Sequence, residues 1–290
     1  MRRQRWFLAI GLVVALSSNA DAALRHRYSF TSDASDSVGG ANGTVVDAGA
    51  ATAVFAGGKL DVSANTGQGS DSGISEDAYV NLPNGIITAA TSGGTAGQLT
   101  VEIWAQSAEN RNWAALFSAG TSNGGEGVSS GGNNADYIQV IPQNGQNGRI
   151  RTTTHRMGVG AEGLVDFGTA MSTTQTTHVV SIFDQNGGLP GTVSLYVDGS
   201  FIGSNPIAAG LDIAAMTDNN NWLGRSQWPD SLFDGWYDEV RIYDHALSVN
   251  EVTANFRGGA DAVVPEPASL ALAAGGLAVV AASRRRKATK

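Results

Sequence analysis

From residue 236 to 243 the chain reads WYDEVRIY, and its side chains alternate. Trp236, Asp238, Val240 and Ile242 fall on one side, and Tyr237, Glu239, Arg241 and Tyr243 on the other. Val240 and Ile242 mark the core side, which turns Asp238 inward at the start of a strand. The same period of two recurs in residues 99–106, where Leu99, Val101, Ile103 and Ala105 share one face and Thr100, Glu102, Trp104 and Gln106 the other. It returns in 113–120, in DYIQVIP and GRIRTTT, and in the pair 176–183 and 191–197, which reads as a hairpin. A helix cannot bury residues at that spacing, so the domain is all-β. Apart from the chain ends, one segment has a helical period. Ser248 and Glu251 form a capping box, and Leu247 and Val252 have the spacing of a hydrophobic staple, so a short helix closes the domain.

Glycines and polar residues separate the strands. DQNGGLPG connects the hairpin, QNGQN is a tight turn, and TSNGGEGVSSGGNNA is expected to be a long, mobile hairpin loop. Residues 24–30 open the domain as a strand and run into a loop with Asp33, Asp36, Gly39, Gly40 and Asn42, a composition suited to a tight or ion-binding turn.

The charge and the reactive residues exclude several functions. Residues 24–260 carry 10 basic and 23 acidic side chains, a net of −13, which repels a phosphate backbone and argues against a nucleic-acid partner. No cysteine is present, so disulfides and thiolate chemistry are excluded. His26, His155, His178 and His245 lack zinc-ligand spacing, and no Gly-x-Ser-x-Gly elbow occurs. Asp238 and Glu239 sit on opposite sheet faces, the wrong arrangement for paired hydrolytic carboxylates, and Glu76–Asp77 and Asp234–Asp238 are only loose alternatives. Glu102 reads as a sheet-surface acid. No catalytic residue is assigned.

The cassette WLGRS, FDGWYDEVRIYD and LSVNEV, preceded by RYSF, LTVEIWAQS, THVVSIFD and SLYVDGSFIGS, resembles the laminin G-like jelly-roll domains of the concanavalin A-like lectin/glucanase superfamily. The resemblance implies a jelly-roll sandwich of two antiparallel sheets with a short C-terminal helix over residues 23–259. It implies a fold that also carries hydrolases, but the Glu-x-Asp-x-Glu strand of its jelly-roll hydrolases is absent here. The expected function is therefore a non-catalytic, exported binding module for carbohydrate or another surface ligand; the alternatives are a structural envelope or matrix protein and, third, a glycoside hydrolase. Trp113, Trp222, Trp228 and Trp236 can act as stacking surfaces or core fillers. Trp228, in the loop SQWPDSLF, is the ligand-binding candidate, whereas Trp222 begins a strand and reads as core. The family also implies a structural calcium ion, and the residues carried over are Asp36 and Asp238, completed by loop carbonyls at 37–40 and by Asp33 or Asn42. The alternative for Asp238 is hydrogen bonding to backbone amides or pairing with Arg25 or Arg27.

The two ends read as targeting segments. MRRQR, the 11-residue apolar run WFLAIGLVVAL and Ala20-Asp21-Ala22 make residues 1–22 a signal peptide with cleavage after Ala22. Residues 260–290 contain Pro265-Glu266-Pro267, 15 apolar or small residues over 268–282, and Arg284, Arg285, Arg286 and Lys287. This tail resembles a PEP-CTERM sorting signal. It implies export to the envelope, surface or extracellular matrix of a Gram-negative-type bacterium, processing by an exosortase, extracellular polysaccharide as a partner, and transient membrane association through a transmembrane helix.

Overall fold

Leu99, Val101, Ile103 and Ala105 do fall on one face of the central strand and are fully buried in the main core. The computed structural model describes residues 23–262 except 48, 50–51, 68–76, 94–96 and 132–133. In chain order the strands are β1 (Leu24–Tyr28), β2 (Thr44–Val46), β3 (Val54–Ala56), β4 (Lys59–Asp61), β5 (Tyr79–Leu82), β6 (Gln98–Ser107), β7 (Phe117–Gly120) and β8 (Tyr137–Ile141). They continue as β9 (Arg151–His155), β10 (Gly163–Asp166), β11 (Thr177–Asp184), β12 (Thr192–Val197), β13 (Ser200–Pro206), β14 (Asn220–Leu223) and β15 (Gly235–Tyr243). Helix α1 (Ile86–Gly93) follows β5, and α2 (Val249–Gly258) follows β15.

The strands form two sheets, every pairing antiparallel. The first runs β13-β12-β11-β6-β15-β4-β3 with β1 added beside β15, and the second runs β10-β9-β8-β7-β14-β5-β2. Between them lies one core, built from Val101 and Ile103 of β6, Val179 and Phe183 of β11, and Val240 and Ile242 of β15, against Phe117 of β7, Ile138 and Val140 of β8, and Leu223 of β14. This is the jelly-roll sandwich of two antiparallel sheets that the family resemblance implies.

The strand β15 departs from strict alternation. Tyr237 pairs with Ala105 but Glu239 already pairs with Trp104, so Asp238 is the extra residue of a β-bulge. The bulge resets the parity: Tyr237 enters the core with Val240 and Ile242, while Asp238 turns to the edge, partly exposed, with Lys59 Nζ at 3.1 Å. The inward Asp238 expected from the sequence is corrected accordingly.

Helix α2 begins at the Ser248–Glu251 capping box and lies on the outer face of the first sheet. Leu247 and Val252 pack there on Val180, Ile182, Tyr196 and Tyr243. That helix buries the face carrying Glu102, which is 0% exposed rather than a surface acid. Its carboxylate is shared by His178 Nε2 at 2.9 Å, the Tyr243 hydroxyl at 2.8 Å and Asn255 Nδ2 at 3.1 Å. A buried carboxylate is tolerable only with such donors.

Helix α1 is an element the sequence reading treats as loop. Its amide donors at Ile87 and Thr88 and the Thr88 hydroxyl are taken by the carboxylate of Asp218, 130 or more residues away, so the cap is not local. The transmembrane helix expected of the chain is also corrected: among the described residues no helix is long and apolar enough to cross a membrane. The signal peptide expected at 1–22, Glu76 and the sorting segment from 263 onward lie outside the described residues.

Candidate functional site

The second sheet has a polar outer face. Alternation on β8 and β9 sends Ile138 and Val140 into the core and Tyr137, Gln139, Arg151 and His155 outward, yet these four are all nearly or fully buried. Two loops reach that face, residues 121–131 after β7 and 224–234 after β14, the second touching Tyr137 through Trp228 and Gln139 through Ser226. The loops are fastened to each other and to the sheet. Arg225 donates to Ser129 Oγ and to the Gly127 carbonyl, each at 2.9 Å, and its guanidinium lies 4.2 Å from the centre of the Trp222 ring. Asn220 Nδ2 donates to the Gly125 carbonyl at 2.9 Å, and the Gly131 amide to the Gln227 carbonyl at 2.8 Å. The glycine-rich segment expected to be a mobile hairpin loop is thus strapped down along 125–131.

A cavity of about 540 Å3 opens on this face, within the range of small-ligand sites. Two tryptophans line it. Trp228 is 37% exposed, and its indole N–H donates to the Tyr137 hydroxyl at 3.0 Å. Trp113 comes from the segment before β7, where the strand expected from residue 113 begins only at Phe117. Its backbone turns left-handed instead (φ 65°), and the Arg151 guanidinium lies 5.5 Å from its ring. Each indole rests on a glycine. A Cβ added at Gly131 would stand 2.2 Å from Trp228 ring atoms, and one at Gly145 would stand 2.4 Å from Trp113 Nε1. The missing side chains are therefore what lets both rings sit where they do.

Between them lie polar groups. Tyr137 donates to Glu162 at 2.7 Å and stacks on His155, with ring centres 5.0 Å apart. Burial, and then the nearby Glu162 carboxylate, push the Tyr137 hydroxyl well above its usual range, so it stays protonated. Gln139 and Gln146 line the same cavity, as does Asp230. Aromatic faces beside hydrogen-bonding groups suit a ligand with apolar C–H surfaces edged by hydroxyls.

Trp228 is thus placed at the cavity. Trp222 is 1% exposed, sealed beneath Arg225 and bonded through its indole N–H to Asn81, which fits the filler role expected of it. Trp236 is half-buried on β15 and does not line the cavity. Sequence reasoning missed Tyr137, Gln139, His155, Glu162 and Asp230 as a group. The available signal was the polar parity of β8 and β9, which places Tyr137 and Gln139 beside Arg151 and His155 on one face.

Asp36 and Asp238 have separate partners. The Asp36 carboxylate accepts from the amides of Arg27, Val38, Gly39 and Ala41 and contacts His26 Nδ1 at 2.7 Å. Burial raises its pKa, but these hydrogen bonds outweigh it and the net shift is downward. Asp238 faces the Lys59 ammonium. Calcium requires six to eight oxygens, and what converges on Asp36 is amide N–H, so these two residues as placed do not fit a shared calcium site. The loose acid pairs are also engaged: Asp77 accepts from Thr66 and Gly67, and Asp234 pairs with Arg111 at 3.1 Å.

The two-sheet jelly roll is the fold of a lectin-like domain, with an aromatic-lined cavity on the outer face of its second sheet. The chain belongs to the concanavalin A-like lectin/glucanases superfamily, whose laminin G family model matches residues 71–253. A PEP-CTERM protein-sorting motif matches residues 263–287, marking an exported, surface- or envelope-associated protein of a Gram-negative-type bacterium and a substrate for exosortase-type processing. Among solved structures, domain 4 of AbnA, an extracellular arabinanase from Geobacillus stearothermophilus in complex with arabinotriose, is similar at 22% identity and a TM-score of 0.54, covering 80% of this chain and 98% of that one. Botulinum neurotoxin type C, whose cell entry depends on interaction with two ganglioside molecules, is 11% identical with a TM-score of 0.51, covering 82% of this chain and 51% of that one. The binding domain of botulinum neurotoxin DC, in complex with rat synaptotagmin II, is 13% identical with a TM-score of 0.50, covering 82% and 52%. These likenesses concern the fold. No curated protein matches the chain.

Proposed function

We propose that the protein binds extracellular polysaccharide at the cell surface through the cavity between Trp113 and Trp228. The observation that carries this reading is the seating of both indoles on glycines, Trp113 on Gly145 and Trp228 on Gly131, beside Tyr137, Gln139 and His155. Trp228 is 37% exposed in an otherwise well-buried loop, and a sugar ring stacked on it would remove that surface from water. The arabinotriose complex of the similar arabinanase domain supports a saccharide as the ligand class. The sorting motif supports a surface setting in which polysaccharide is at hand. The test is a glycan array probed with the purified protein and with Trp228→Ala. Reproducible binding that drops in the variant supports the reading; an array without signal favours a purely structural envelope protein.

A further inference from the structure

Resting on the reading of this cavity as a glycan site, we infer that it selects uncharged or amino-bearing sugars and refuses sugars that carry a carboxylate. Trp228 can only donate, so the Tyr137 oxygen accepts from it and passes its own proton to Glu162. Ser226 donates its hydroxyl proton to Asp230 at 3.1 Å, so Ser226 Oγ can only accept from the Gln139 amide. That fixes the amide: Gln139 Nε2 spends its hydrogens on Ser226 Oγ and Ser118 Oγ, and Oε1 is left as an acceptor. His155 Nδ1 lies 2.6 Å from the Ala135 carbonyl, an acceptor, so Nδ1 carries a proton there.

The charges point the same way. Glu162 and Asp230 line the cavity and no Lys or Arg does so among the described residues. The cation beneath, Arg151, is 2% exposed: Nε and Nη2 bind Asp166 at 2.7 and 3.0 Å, Nη2 also binds Gln146 Oε1 at 2.9 Å, and Nη1, 3.8 Å from Glu162 and without a hydrogen-bond partner, is itself buried away from the cavity surface. Gln146, with its oxygen so used, supplies the amide donor of the set. A sugar hydroxyl or ammonium meets these acceptors as a donor. A carboxylate brings acceptors to acceptors and negative charge to negative charge, with no Lys or Arg on the described cavity wall to meet it.

The experiment titrates the purified protein by calorimetry with matched neutral glucose, glucosamine and glucuronic-acid oligomers, at low and high salt, and repeats the series with Glu162→Gln. The amide of that variant still accepts from Tyr137. The expected result is binding of the neutral and amino oligomers, with the uronic oligomer roughly tenfold weaker or worse, the gap narrowing at high salt and in Glu162→Gln. Uronic binding as tight as neutral binding, or a gap that neither salt nor the variant changes, overturns the charge selection while leaving a glycan site in place. Absence of binding by all three, together with a blank array, removes the glycan reading itself and this inference with it.

Discussion

Gly131→Ala isolates the contribution of Trp228, because the structure supplies both the perturbation and its control. Gly131 has φ 54°, and a Cβ there would stand 2.2 Å from the Trp228 Cδ2 and Cε3 atoms. Ordinary contact begins at 3.4 Å, so the ring must retreat by about 1.2 Å. A radial gap of about 0.5–1 Å already forfeits a quarter to a half of a dispersion well, so a shift of this size removes most of the stacking on a ligand that stays in place. An aromatic anchor of about 2 kcal/mol would then lose most of that, which is roughly a tenfold fall in affinity. The control is Gly125→Ala in the same loop, where φ is 80° and nothing lies within 4 Å of the added Cβ. Both variants incur about 1–2 kcal/mol of left-handed backbone strain, but only Gly131→Ala adds about 1–3 kcal/mol of overpacking. The assay is urea unfolding for stability beside glycan titration for affinity. Equal affinity in the two variants would refute the argument that Gly131 seats a working Trp228.

Other consequences follow from the buried acids and the loop ends. The His245 imidazole, 3.7 Å from the Glu251 carboxylate, helped by Ser248 and opposed by burial, lowers the Glu251 pKa from 4.5 to about 2. A depressed carboxylate stabilises the fold above its unfolded pKa and loses that contribution as pH falls through its folded one. Glu251→Gln should therefore lower the melting temperature at pH 7, with the difference from wild type closing between pH 4.5 and about 2; a pH-independent difference would contradict this. Glu102→Gln, which uncharges the carboxylate shared by His178, Tyr243, Asn255 and Arg241, should cost about 3–5 kcal/mol in urea unfolding. Glu109→Gln, in a pair whose acid is 64% exposed, should stay within about 1 kcal/mol, and a similar loss in both would refute the distinction. Calcium added to metal-stripped protein should leave the unfolding transition unchanged; a rise that disappears in Asp238→Asn would restore the shared ion between Asp36 and Asp238.

The layer structure was legible because it depends on parity alone. Leu99, Val101 and Ile103 need only face one way for β6 to be a central strand, and the capping box at Ser248 is written within four residues. What failed depended on contacts far along the chain. No glycine marks the bulge at Asp238, which arises where β15 must pair with β6 and β4 together, so one residue of slippage reversed the face assigned to it. Glu102 was placed on the correct face, but its burial is decided by α2, some 150 residues later. Helix α1 takes its cap from Asp218. For the cavity, Trp228 could be singled out as an aromatic residue in a polar loop. Its companions come from separate stretches around 113, 137–139, 155–162 and 230, and they meet only when two loops fold over one sheet.

The most direct test of the account is to watch the indole N–H signals by NMR while a glycan identified on the array is titrated in. Trp113 and Trp228 line the cavity, whereas Trp104 and Trp222 are buried beneath Arg241 and Arg225 on other parts of the two sheets. Saturable shifts of the Trp113 and Trp228 signals, with those of Trp104 and Trp222 unmoved, are the predicted result. Binding that leaves Trp113 and Trp228 unmoved would place the ligand elsewhere and contradict the account.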